Sequence, residues 1–260
     1  MYILFAIIAF GLMIFVHELG HFLVARSFKM PVTEFAMGFG PQLLCREKNG
    51  TVYSLRAFPI GGFCALEGEE EESDDPLAFS NQKVWKKVLV LVAGATMNFI
   101  LGFLLTWLIL GIDYHESLGF FRILVGSFKT CLNFVSLVIE SLGQLIHGEI
   151  SISELSGVVG VVDAINDVGQ SSASVIDGVE NVIFLVAFIS VNLGVMNLLP
   201  LPALDGGHIF TLLITAAIES VTGKKVNPKI ENTIHYVGLL LLLALMVLVL
   251  FNDVFRIVTR

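Results

Sequence analysis

Long apolar stretches alternate with shorter polar ones along this chain. A membrane-spanning helix needs about 20 mostly apolar residues. Four stretches meet that need, at 3–25, 88–112, 182–204 and 236–252. The last three carry no charge, and the third is interrupted by Pro200 and Pro202. The first is broken only by a polar cluster, His17-Glu18-Leu19-Gly20-His21. No Lys or Arg precedes its apolar run and no small-residue cleavage site follows, so it reads as a retained helix rather than a signal peptide.

Between the first two stretches the period changes. Leu43–Lys48 and Thr51–Phe58 flank Asn49-Gly50, a strong hairpin signal because both turn residues tolerate positive φ. The run from Gly61 to Leu66 adds a third strand, giving a β-loop region over 31–68. The acidic run Glu67–Asp75 reads as a solvated loop. Over 118–147 apolar residues from Phe120 and Leu124 to Leu142 and Leu145 recur at helical spacing. Arg122, Lys129, Asn133, Ser136, Glu140 and Gln144 oppose them. That pattern predicts an amphipathic helix lying on the membrane or against the bundle. Residues 149–170 read as loop and short helix. The expected fold is thus a mainly α polytopic membrane protein with four transmembrane helices, a small membrane-associated β-hairpin sheet and an amphipathic helix, as one domain over 1–260.

Composition agrees. Hydrophobic residues make up 55% of the 260, charged residues only 15%, and mean hydropathy is +0.85. An ordinary globular chain has about 25% charged residues. Disorder, fibres and disulfide scaffolds are excluded, and the three cysteines are too scattered for a thiolate zinc site. Fifteen Lys and Arg against 23 Asp and Glu, with no basic stripe, exclude nucleic acid as a partner. The Lys/Arg distribution predicts orientation. Eleven lie in the loops after segments one and three, and four lie on the other side. Both termini should face outside, with those two loops in the cytoplasm.

The chemistry sits in segment one. His17-Glu18-x-x-His21 puts two imidazoles on one helical face, able to share an ion, with a carboxylate beside them to activate its bound water. Ionisable groups inside a membrane helix are costly and usually functional. From Ile3 to His17 the helix rises roughly 21 Å, which leaves the ion roughly 9 Å short of the cytoplasmic face of a core about 30 Å thick. Catalytic zinc commonly has three protein ligands. The best third is Asp205, at the end of Asn197-Leu198-Leu199-Pro200-Leu201-Pro202-Ala203-Leu204-Asp205-Gly206-Gly207-His208. Its other reading is a helix N-cap, and His208 is a competing ligand. Asn98 and Asn197 are amides in apolar segments. Each either holds a substrate carbonyl or oxyanion or hydrogen-bonds between helices.

Taken with Gly38-Phe39-Gly40-Pro41, Pro59-Ile60-Gly61-Gly62-Phe63, Gly94-Ala95-Thr96-Met97-Asn98-Phe99 and Leu155-Ser156-Gly157, these residues resemble the site-two protease family of intramembrane zinc metalloproteases, in particular its bacterial regulator-of-sigma-E protease branch. The resemblance covers nearly the whole chain. It implies one Zn2+ per chain on His17, His21 and Asp205, with Glu18 as catalytic base. It implies that Gly61 and Gly62 sit in a membrane-dipping β-loop that helps place an extended substrate, and that Asn98 and Asn197 position substrate or stabilise the transition state. Expected substrates are single-span proteins such as anti-sigma factors, or signal-peptide remnants, in a bacterial cytoplasmic membrane.

There are two departures. Ala95 stands where the family often has proline. Branch members usually carry PDZ domains between segments two and three, whereas residues 113–181 lack a PDZ strand pattern. Two rival readings are a metal transporter using the same cluster and a non-catalytic scaffold. A transporter would show repeated halves with ligands on several spans, and neither is visible. The intact Glu18 argues against a scaffold.

Overall fold

The computed structural model describes residues 2–69, 71, 73–114, 119–149, 157–172, 174–223 and 228–258. Leu155, Ser156, Lys224 and Lys225, and Glu70 and Glu72 of the acidic run, lie outside the described residues. The first apolar stretch winds into α1 (Tyr2–Ser27) and the second into α2 (Val84–Tyr114). Then come α3 (Phe120–Ile146), α4 (Val158–Ser171), α5 (Val175–Asn197), α6 (Asp205–Thr222) and α7 (Pro228–Val258). The third apolar stretch does not stay helical to residue 204. α5 stops at Asn197, because the residue before a proline is pushed out of the helical region and proline has no N–H to give.

Among the described residues, five helices are long and apolar enough to cross a membrane: α1, α2, α3, α5 and α7. The addition is α3, read from sequence as a surface helix. Its buried line is Ile123, Ser127, Phe134 and Val138. Phe120 and Phe128, from the predicted apolar stripe, are exposed instead. It qualifies by its length and the mean apolarity of one stretch, alongside the polar stripe that the sequence shows.

β1 (Val32–Lys48) and β2 (Thr51–Leu66) form an antiparallel pair. Asn49 and Gly50 close it with φ of 54° and 77°, as a tight hairpin needs. Pairing runs from Lys48–Thr51 back to Gln42–Arg56. Both strands then bend, β1 at Gly38 and Gly40 (φ 88° and 85°) and β2 at Gly61 (φ 104°). Past the bends, Val32–Met37 pairs with Gly62–Leu66 and also lies beside Val52–Leu55. The predicted third strand is therefore the far half of β2, and it forms one edge of a folded sheet.

The chain packs as two compact units. One, residues 10–98 and 196–239, holds most of α1, the sheet, the start of α2 and α6. Its core joins Ala25, Met30, Val32, Leu66, Phe79, Val90 and Leu91, flanked by Phe22, Phe28 and Cys64. This roots the sheet on the ends of α1 and α2. Gly20 of α1 lies directly on the Ala93 carbonyl of α2 with no room for a Cβ, the close approach that small residues allow between membrane helices. The other unit, residues 1–9, 99–195 and 240–260, centres on Phe134, Ala187 and Val191. In it the fully buried Asp253 accepts hydrogen bonds from Gly157 and Gly160 N–H at 3.0 and 2.9 Å, which caps the start of α4.

Candidate metal centre

The site is built within the first of these units. One helical turn separates His17 and His21 on α1, and their Nε2 atoms stand 3.2 Å apart. Both rings are buried. The facing helix sets their orientation. Val90 oxygen meets His21 Nδ1 at 2.8 Å, and Asn98 Nδ2 meets His17 Nδ1 at 3.2 Å. Between them Gly94 presses on both rings, so that a Cβ there would lie 2.7 Å from His17 Cε1 and closer still to His21 Nε2. Residues 90, 94 and 98 are four apart and share one face of α2. With both Nδ1 atoms engaged, both Nε2 atoms are left facing the same space.

Asp205 enters that space from the proline-containing turn. Leu204 is the N-cap of α6, with extended backbone and no side-chain cap. Asp205 is thus the first helical residue, and its carboxylate is not used as the cap. The turn is tight. Ala203 has φ 74°, and a side chain at Gly206 or Gly207 would strike the backbone of Leu198–Leu201. Asp205 Oδ2 lies 3.2 Å from His17 Nε2 and 3.4 Å from His21 Nε2. Burial alone would push this carboxyl up, but the two imidazoles over it hold it below the ordinary carboxylate range.

Among the described residues His17, His21 and Asp205 are the set whose ligand atoms converge for an ion, and His208 is not in it. In a tetrahedral zinc site with bonds of about 2.0–2.1 Å, ligand atoms stand about 3.3–3.4 Å apart. The three separations here are 3.2, 3.2 and 3.4 Å. Asp205 Oδ2 is also buried without a well-formed hydrogen bond among the described residues. The donor set of two imidazoles and one carboxylate therefore fits zinc.

Glu18, one step along α1 from His17, lies against the sheet edge. Its Cγ lies 3.5 Å from where a Cβ on Gly62 would be, and the Cys64 backbone N–H hydrogen-bonds its carboxylate. Gly62 also lies 2.9 Å, by the same measure, from the Ala36 carbonyl, so the edge strand and α1 meet there without a side chain between. Gly61 faces the Phe39 ring, at a φ that suits only glycine. Asn197 ends α5 half-buried and makes no hydrogen bond to His17, His21 or Asp205 among the described residues.

Two features of this unit were not read from the sequence. Arg56 ties the bent sheet together, through Nη2 to Glu34 Oε1 at 2.7 Å, Nη1 to Gly40 oxygen at 2.9 Å, and its guanidinium 5.0 Å over the Phe63 ring. Ser54 and Gln42 donate to the same Glu34 oxygen. Glu69, in the run read as a solvated loop, is half-buried and feels the charges of His21, Asp205 and Glu18. Burial pushes its carboxyl up to about 7, against a hydrogen bond from Leu66 N–H. The Gly68 turn at φ 77° bends the run inward, and Gly68 itself was the available signal.

Comparison with known proteins adds to this geometry. The sequence model of peptidase family M50 matches residues 5–245. A Fusobacterium nucleatum protein named as a candidate zinc metalloprotease is 30% identical over 97% of this chain and 98% of its own length. Zinc metalloprotease RasP of Bacillus licheniformis is 24% identical over 96% and 98%, and regulator of sigma-W protease RasP of Bacillus subtilis is 23% identical over 96% and 97%. These matches extend over 344 to 420 positions, more than the 260 residues here, so the relatives hold residues with no counterpart in this chain.

Proposed function

The chain belongs to peptidase family M50, the site-2 protease family, and is an intramembrane zinc metalloprotease; we propose that it cuts single-span membrane proteins at bonds in or near their transmembrane segments. The observation that carries this reading is the convergence of His17 Nε2, His21 Nε2 and Asp205 Oδ2 within 3.4 Å of one another, beside a sheet edge that touches Glu18.

His17, His21 and Asp205 would hold the ion. Zinc, when bound, supplies Lewis acidity and lowers the pKa of its water. Glu18 is one step from His17 along the helix and so points about 100° away. It is the base that takes the proton and later passes it to the leaving amine, not a ligand. A helical substrate shields its peptide bonds, so it must be drawn out before it can react. The Gly62–Leu66 edge suits an added extended strand, and Gly61 and Gly62 add no side chain of their own to it. Exposed Phe39, Leu43, Leu44 and Phe58 suit the dipping of this β-loop into lipid. Asn197 borders the turn that carries Asp205 and would meet the substrate backbone.

The protein is a multi-pass membrane protein. In the arrangement we favour, four helices cross a bacterial cytoplasmic membrane, α3 lies along it, both termini face outside and the metal centre lies toward the cytoplasm. The eleven-to-four Lys/Arg asymmetry supports it. By analogy with the regulator of sigma-W protease, anti-sigma factors are the substrate class expected, with signal-peptide remnants beside them. The transporter reading gains no support from the family match.

The test is cleavage of a tagged single-span substrate by the purified chain in detergent. A zinc chelator should abolish cleavage. Glu18→Gln should lower it about 10²–10⁴-fold while retaining about one zinc per chain, as three protein ligands require. Zinc flux into liposomes with no cleavage in either system would overturn the proposal.

A further inference from the structure

We propose that Asn98 is a positioning residue for the metal, its carboxamide oxygen receiving the Nδ1–H of His17 and so leaving Nε2 of that ring for the ion. The proposal rests on the reading of His17 as a ligand.

A neutral imidazole has one N–H and one lone pair. A ring that gives Nε2 to zinc must carry its proton on Nδ1, and ligand histidines almost always hand that proton to a carbonyl, a carboxylate or water. His21 has such an acceptor in the Val90 carbonyl, 2.8 Å from Nδ1. The corresponding position on His17 is filled by the Asn98 carboxamide, 3.2 Å from Nδ1. The amide nitrogen faces the ring, and a half-turn about χ2 puts the oxygen in nearly the same place. The oxygen is the end that can accept.

Burial and placement favour this role over contact with substrate. Asn98 is 0% exposed in the middle of a membrane-spanning helix, where an amide is expensive unless it is hydrogen-bonded. Nδ1 and Nε2 point away from each other across the ring. A group at Nδ1 therefore stands behind the ligand, not on the side where Asp205 approaches. The α2 face then has three parts at one-turn intervals: a carbonyl for His21 at Val90, clearance for both rings at Gly94, and an amide for His17 at Asn98. The two buried rings are held by unlike acceptors, one from the backbone and one from a side chain. Only the second can be changed by substitution.

Zinc affinity measured by competition with a chromogenic chelator, on the full chain in detergent, tests the proposal without using activity. Asn98→Leu keeps a similar shape and loses the acceptor, and should weaken zinc binding about 10–100-fold. Asn98→Asp keeps an acceptor oxygen and should stay close to wild type. Wild-type affinity in Asn98→Leu, or equal losses in the Leu and Asp variants, would overturn the proposal. An independent measurement needs no substitution at Asn98. In imidazole 15N spectra of the zinc-loaded wild type, His17 should be protonated at Nδ1, and an unprotonated Nδ1 would overturn the proposal. His17→Ala separates the two levels: if it binds zinc as tightly as wild type, it is the ligand assignment that has failed, and the role of Asn98 falls with it.

Discussion

Gly94 lies so close to His21 that a single methyl group on its Cα would collide with the ring's Nε2. The approach is from the α2 backbone to an imidazole of α1, and a Cβ on residue 94 has no rotamer with which to avoid it. We expect Gly94→Ala to displace one or both imidazoles and lower zinc occupancy at least tenfold. Overpacking of this kind costs about 1–3 kcal/mol, less than the roughly 5–15 kcal/mol typical of folded proteins. Zinc content by atomic absorption, with helicity from circular dichroism, checks this, and full occupancy would contradict the close packing.

Asp205 and His208 can be separated as ligands. Asp205→Asn should weaken zinc binding and abolish cleavage while the helices still insert, because the turn before it is set by Pro200, Pro202 and Gly206 rather than by the carboxylate. His208→Ala should retain zinc. Loss of metal in His208→Ala alone would reverse the assignment.

The Glu34–Arg56 pair should govern substrate handling rather than metal binding. Arg56→Gln removes ties to Glu34, Gly40 and Phe63 together, at roughly 1.5–3 kcal/mol for hydrogen bonds to charged groups. We expect KM to rise with zinc affinity unchanged, and Arg56→Lys to recover only part, since one ammonium cannot reproduce the fork. Desolvation opposes ionisation of Glu34, but hydrogen bonds from Ser54 and Arg56 hold its carboxyl below the usual range. Its contribution is therefore complete above the unfolded value of 4.5 and is lost as pH falls through the lower folded value. Proteolytic sensitivity of the β-loop should rise over that acid window in wild type and already be high in Arg56→Gln.

Glu69 has the opposite sign. Its folded carboxyl, at about 7, is above the ordinary 4.5, so the folded state holds the proton longer. Stability then declines as pH rises from 4.5 to 7 and stays lower above. Glu69→Gln should be more stable than wild type at pH 8, by at most about 3.5 kcal/mol at about 1.4 kcal/mol per pKa unit. The two should converge as pH falls well below 4.5, where the wild-type carboxyl is protonated in both states. A variant less stable than wild type at pH 8 would rule this out.

Topology distinguishes four crossings from five. With four, a cysteine at Asp75 should be shielded from an impermeant thiol reagent in intact cells, and one at Glu149 should react. Shielding at both would mean that α3 crosses.

Much of this protein could be read without coordinates. Apolar length alone located four helices, because lipid rewards any unbroken apolar run of sufficient length. Asn49-Gly50 located the hairpin, because few residue pairs accept two positive φ values. Local spacing put His17 and His21 on one face with Glu18 off it, since three residues within five are governed by helix geometry alone. Tertiary structure decided what depends on residues distant in sequence. It chose Asp205 for the pair of histidines and left His208 outside. It set Asn98 behind His17, between two sequence readings that the residue type could not separate. It drew Glu69 in from a run that looked solvated. It also set Gly94 against the His17 and His21 rings, and Gly206 and Gly207 against the Leu198–Pro202 backbone, contacts that a glycine in a sequence does not announce. Periodicity reports which face of an element is apolar, whereas the partner that a polar group meets is set by how the elements cross, and that crossing is a property of the whole packed chain.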